Sequence, residues 1–169
     1  MIAGLLLIIV FLSGCLEKTY IGNPTTWSDE QVLTYYQGIQ PADIVYFAAK
    51  LKQDGYRWQS DGTNLIPFTD TIATPNFVLS HGGGNCNDLA NLFQDFVKKT
   101  GAADEYIEYY LRSGYKWHLI TVFKVGNDWF LQSDLSVAPI ASPEAAVEVW
   151  YAKGYQYREA IQVWKKEAK

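Results

Sequence analysis

Hydrophobic residues recur along this chain in three different rhythms. Positions 1–14 read M-I-A-G-L-L-L-I-I-V-F-L-S-G, almost wholly apolar and without a charge. After a polar stretch, Ser28 can cap a short helix over residues 29–37. A second helix opens at Pro41, with Ile44, Val45, Phe47, Ala48 and Leu51 at helical spacing up to Asp54-Gly55. Residues 56–77 hold Gly62, Pro67 and Pro75 and keep no period, which reads as turns. The clearest helix spans residues 85–99, where Leu89, Ala90, Phe93, Phe96 and Val97 form one face and Gly101 is the stop. The period then changes to two. Residues 106–111, 117–125 and 129–133 read as strands, the last two joined by Gly126-Asn127-Asp128. Ser142 and Pro143 open a further helix, and a Tyr- and Trp-bearing tail follows Gly154. Without repeats or low-complexity tracts, this is one α+β domain with N-terminal helices and its best helix packed on an antiparallel sheet.

The leading apolar run is too short for about 30 Å of hydrocarbon, which takes roughly 20 helical residues. It has the length of the apolar part of a signal peptide. Its end, Leu12-Ser13-Gly14-Cys15, resembles the lipobox of bacterial lipoproteins. That resemblance implies a leader over 1–14, a lipid on Cys15, a tether over 15–23 and a domain over 24–169. It also implies a place in the cell envelope, on a bacterial membrane and outside the cytoplasm. The other reading is a buried N-terminal helix or strand with an ordinary cysteine.

Composition narrows the chemistry. The chain has 169 residues, a net charge of −4, two cysteines and two histidines. A length of that order can bury a real core. The acidity and the absence of a Lys/Arg cluster argue against nucleic acid as a partner. The cysteines are too few for a disulfide framework, and the Cys/His spacing matches no zinc site. Neither a metal nor another cofactor is expected.

The segment that carries chemistry is His81-Gly82-Gly83-Gly84-Asn85-Cys86-Asn87-Asp88. Cys86 falls in the first turn of the best helix and, three and four residues before Leu89 and Ala90, on its apolar face. Unpaired N–H groups and the macrodipole at a helix start favour a thiolate and can donate to an oxyanion. The glycines would let another chain, such as a substrate, come close. Asp88 has a structural explanation, pairing with Asn85 in a capping box. His118 lies 32 residues after Cys86 on a strand face with Ile120 and Val122. Asp134, 16 residues further on, ends the next strand and would orient the imidazole.

The order Gly84-Asn85-Cys86-Asn87-Asp88, then Trp117-His118, then Asp128-Trp129 leading to Asp134 resembles the transglutaminase-like superfamily of papain-type cysteine enzymes. The similarity covers residues 82–137. It implies a papain-like core with Cys86 as nucleophile, His118 as base and Asp134 as orienter. The implied activity is a cysteine peptidase, amidase or acyl transferase, working on a peptide, protein or peptidoglycan amide through a thioester. The additional oxyanion donor of that family has no aligned counterpart; Trp58, Gln59, His81 and Asn85 are candidates. One rival is a catalytically silent binding or assembly lipoprotein on the same fold. Another is an NlpC-type cell-wall peptidase, whose Asp-Cys-Ser-Gly opening here reads Asn85-Cys86-Asn87-Asp88. His81 reads as a loop residue, and its Gly-Gly-Gly sequel echoes the lipase oxyanion loop, but no Gly-x-Ser-x-Gly elbow exists. Lys165, Lys166 and Lys169 read as a solvated end, with a weak contact to anionic lipid as the alternative. A monomer is expected.

Overall fold

The structure is a computed structural model and describes residues 26–59, 72–114 and 116–167. The expected leader, Cys15, the whole tether and Lys169 lie outside those residues. α1 (Asp29–Gln37) starts at a reciprocal cap, the Ser28 hydroxyl accepting from the Gln31 N–H and the Gln31 side chain from the Ser28 N–H. α2 (Ile44–Gln53) begins three residues after Pro41 because Asp43 is the cap, its carboxylate accepting the Tyr46 N–H at 2.8 Å. β1 (Arg57–Trp58) follows. α3 (Pro75–His81) is a helix where turns are expected. Thr74 caps it and Pro75 takes its first position, so this proline opens a helix instead of marking a turn. His81, expected in a loop, is therefore the buried last residue of α3.

β2 (Gly83–Gly84) pairs in parallel with β1 and leads into α4 (Cys86–Thr100). The sheet follows as β3 (Glu105–Ser113), β4 (Lys116–Val125), β5 (Asp128–Ser133) and β6 (Ser136–Ile140). α5 (Pro143–Tyr151) starts at the expected Ser142 cap. The tail is β7 (Tyr157–Lys165), antiparallel to β3. The five strands run antiparallel in the order β6-β5-β4-β3-β7. Lys165 and Lys166 are exposed, as a solvated end requires, while Lys165 pairs with Glu105 at 3.4 Å and the Lys166 ammonium reaches the Gly101 carbonyl at 3.5 Å.

Strand alternation sorts the sheet into two faces. On one, Tyr106, Tyr110, Leu119, Thr121 and Phe123 turn toward α4, whose Leu89, Ala90, Phe93, Phe96 and Val97 are fully buried. α1 and α2 close that core with Tyr36 and Phe47, which meet Phe96 at centroid distances of 5.3 and 4.0 Å. Each such buried side chain contributes about 1.5–3 kcal/mol. On the other face Leu111, Ile120 and Val122 pack under Ala146 and Val147 of α5. His118 pairs with Leu111 in the β3–β4 ladder and so belongs to the α5 face, as its spacing from Ile120 predicts.

Candidate active site

The start of α4 is built by local sequence. Asn85 accepts the Asn87 and Asp88 N–H groups at 2.9 and 3.1 Å, and Asp88 returns a carboxylate oxygen to the Asn85 N–H at 3.1 Å. The other Asp88 oxygen accepts the Ala73 N–H at 2.7 Å, tying the entry of α3 to α4. Asp88 is structural, as expected. The glycines do admit another chain, but that chain is the protein's own β1. A Cβ on Gly83 would stand 1.9 Å from the Arg57 carbonyl oxygen, and one on Gly84 would stand 2.5 Å from the Asp88 Cβ. Cys86 is then the first residue of a fully capped helix. Its side chain is buried with Ala90 and Leu119 beside Tyr110 and Trp117, and Sγ lies 3.9 Å from the Asn87 Oδ1.

The surroundings of His118 come from three separate segments. Its Nε2 is 2.9 Å from the Ser133 hydroxyl at the end of β5. The Trp150 ring of α5 lies against the imidazole at 4.3 Å, and the Tyr155 ring stands 6.5 Å away. The Lys153 ammonium caps the Trp150 ring at 4.0 Å. Burial, reinforced by the Lys153 charge, lowers the imidazole pKa from 6.5 to about 4. The ring is therefore neutral at neutral pH. Asp134 occupies the turn after β5 with φ 52°, and its carbonyl accepts from the Gln132 side chain at 2.6 Å. Burial raises the Asp134 carboxyl pKa. The ring bond expected for Asp134 goes to Ser133 instead.

Burial raises the Tyr155 pKa, and the charges of Cys86 and Asp134 act in the same direction. The Tyr155 ring also contacts Trp150 at 5.3 Å. Cys86 thus sits with Ala90 and Leu119 on the α4 face of the sheet, while His118, the residue before Leu119 in β4, sits with Ser133, Trp150 and Tyr155 on the α5 face.

The remaining candidates fall on the α4 side. The Gln59 N–H donates to the Gly84 carbonyl at 2.9 Å, two residues ahead of Cys86, and its side-chain amide donates to the His81 carbonyl at 3.2 Å. His81 stacks on Phe77 at 3.9 Å, and its Nδ1 meets the Ser80 hydroxyl and the Phe77 carbonyl at 2.8 and 2.9 Å. Trp58 is half exposed, and the Asn85 oxygen is committed to its cap. Sequence reasoning missed Ser133, Trp150 and Tyr155. Parity was available for Ser133, because Leu131 and Ser133 alternate onto one strand face.

No model of a known protein family matches the chain. A probable nicotinate phosphoribosyltransferase of Schizosaccharomyces pombe is 37% identical over 76 residues, which is 44% of this chain. The chain spans 18% of that protein's length. Three structures of Legionella pneumophila LapG are similar at 12% identity. The first covers 83% of this chain and 90% of its own, with a TM-score of 0.46. The EGTA-treated form covers 85% and 89% at 0.48, and the calcium-bound form 80% and 86% at 0.46. Likeness at this level carries no argument about chemistry.

Proposed function

We propose that this chain is a transglutaminase-like cysteine hydrolase or acyl transferase, held outside the cytoplasm by a lipid on Cys15. The observation that carries the reading is Cys86 opening a doubly capped helix and packing on Leu119, the residue that follows a buried, neutral His118 in β4. Cys86 is the nucleophile and His118 the base. A neutral imidazole accepts the thiol proton as Sγ bonds to an amide carbonyl carbon. The C–N bond then breaks, the imidazolium returns the proton to the departing amine, and a thioester remains. Water or a second amine attacks the thioester and gives a proton to the imidazole. Sγ leaves with it. Charge on the carbonyl oxygen meets the positive end of the α4 dipole, with the second N–H of the Gln59 side-chain amide, set alongside by β1, as donor.

Residue-resolved mass spectrometry of iodoacetamide alkylation against pH, on the detergent-solubilised chain, tests this. Cys86 is expected to alkylate with a midpoint below the free-thiol value of about 8.5, and His118→Ala is expected to move it. A midpoint at the free-thiol value, unchanged in His118→Ala, would sink the catalytic reading and leave the binding module. With an activated thiol, turnover of peptide, peptidoglycan and amine-acceptor substrates separates the enzyme classes.

A further inference from the structure

We infer that Ser133, rather than Asp134, is the positioning residue for His118, its hydroxyl oxygen accepting the Nε2–H so that Nδ1 is the nitrogen that exchanges a proton with Cys86. The inference rests on the proposed role of Cys86 and deepens it. Three observations on the geometry agree. The ring nitrogen and the Ser133 oxygen are 2.9 Å apart, an ordinary hydrogen-bond length. The β4–β5 ladder pairs Val122 with Leu131 and Thr121 with Gln132, so continuing it by one step sets Ser133 opposite Ile120, on the face that carries His118. Asp134, one residue further on, follows Ser133 into a turn with φ 52°. Its Oδ1 is buried with no hydrogen-bond partner among the described residues.

A hydroxyl in this place has a chemical consequence. It fixes which nitrogen of the neutral ring bears the proton, but it offers no negative charge to an imidazolium. The charged group that acts on the ring is Lys153, whose cation opposes ring protonation, and the Tyr155 phenol ring stands 6.5 Å away. The site is thereby set to work from a neutral imidazole and a thiol instead of a standing ion pair.

Nitrogen-detected NMR of the full chain reads the ring directly. His81 and His118 are its two histidines, and His81→Gln assigns them. The wild type is expected to hold one tautomer, protonated at Nε2. Ser133→Ala should give a tautomer mixture and slow Cys86 alkylation by about tenfold to a hundredfold. Ser133→Thr, which keeps a hydroxyl, should restore both. Ser133→Asp should raise the ring's titration midpoint by about 1–3 units, and Asp134→Asn should leave the tautomer alone. A single unchanged tautomer in Ser133→Ala, or its loss in Asp134→Asn, overturns the inference. The NMR result stands apart from catalysis. A tautomer lost in Ser133→Ala beside an unactivated Cys86 would uphold the positioning role while removing the enzyme.

Discussion

The start of α4 and the surroundings of His118 are built in opposite ways. Around Cys86 nearly everything is local: the cap, its reciprocal carboxylate and the glycines lie within five residues of one another. Around His118 the ring partner comes from β5, the stacking indole from α5 and the neighbouring phenol from the segment before β7. The first is fixed by helix-end hydrogen bonding, where each orphan N–H requires an acceptor. The second exists only once the sheet and α5 have packed. It also tolerates imperfect satisfaction, since the Trp150 Nε1 and Asp134 Oδ1 atoms are buried without hydrogen-bond partners among the described residues. The start of α4 is thus preorganised by its own sequence, while the setting of His118 depends on the tertiary fold.

The sharpest way to break the local half is Gly83→Ala. Its new Cβ would meet a backbone oxygen at 1.9 Å, and φ +144° disfavours any side chain. Backbone cannot step aside as a flexible side chain can, so either β1 detaches or α4 shifts. The expected loss is more than about 4 kcal/mol, in the range reserved for strain at a special backbone position. Urea denaturation measures it. A loss below about 1 kcal/mol would mean that the β1–β2 contact is not what holds the start of α4.

The same division explains how much of the molecule was legible in advance. α1, α4 and α5 announce themselves through a cap and a periodic face, and Cys86 is found because its neighbours in sequence are its neighbours in space. α3 hides because a proline at its first position looks like a turn in a stretch with other turn residues. β6 carries Pro139, which an edge strand accepts because one side of its ladder is unpaired. β7 pairs with β3 across more than forty residues, and its exposed Ile161 and Val163 give no buried alternation to read. Asp134 offers the carboxylate, but chemistry alone does not place a side chain. Strand alternation sets Ser133, and not the residue after it, on the histidine's face.

The non-local half breaks with acid. His118 has a folded pKa of about 4 against 6.5 when unfolded, so the folded state resists a proton that the unfolded chain accepts. Its contribution is complete above pH 6.5 and is lost as pH falls from there to about 4. At about 1.36 kcal/mol per pH unit, this is worth about 3 kcal/mol. Asp134 and Glu108, whose pKa values burial raises, act in the opposite sense, losing stability as pH rises through the carboxylate range. The comparison that isolates the ring is therefore wild type against His118→Gln. Denaturant titrations from pH 7 to pH 4 should give a shallower slope for the variant. Equal slopes would mean that the imidazole is not desolvated in the folded protein.

The smallest expected effect separates the two causes of that depressed pKa. Burial is the larger and the Lys153 charge the smaller, acting across a Trp150 ring that lies 4.0 Å from the ammonium and 4.3 Å from the imidazole. Lys153 is exposed, and its substitution opens no cavity. Lys153→Gln should raise the His118 midpoint in an NMR titration while leaving it below 6.5, because desolvation remains. The start of α4 lies outside this charge pair, so thermal stability at pH 7 should move little. A midpoint unchanged by the substitution would leave burial as the whole cause. A midpoint restored to 6.5 would instead make Lys153 the dominant control on the imidazole, and the packing of Trp150 against the ring would then be a contact without electrostatic consequence.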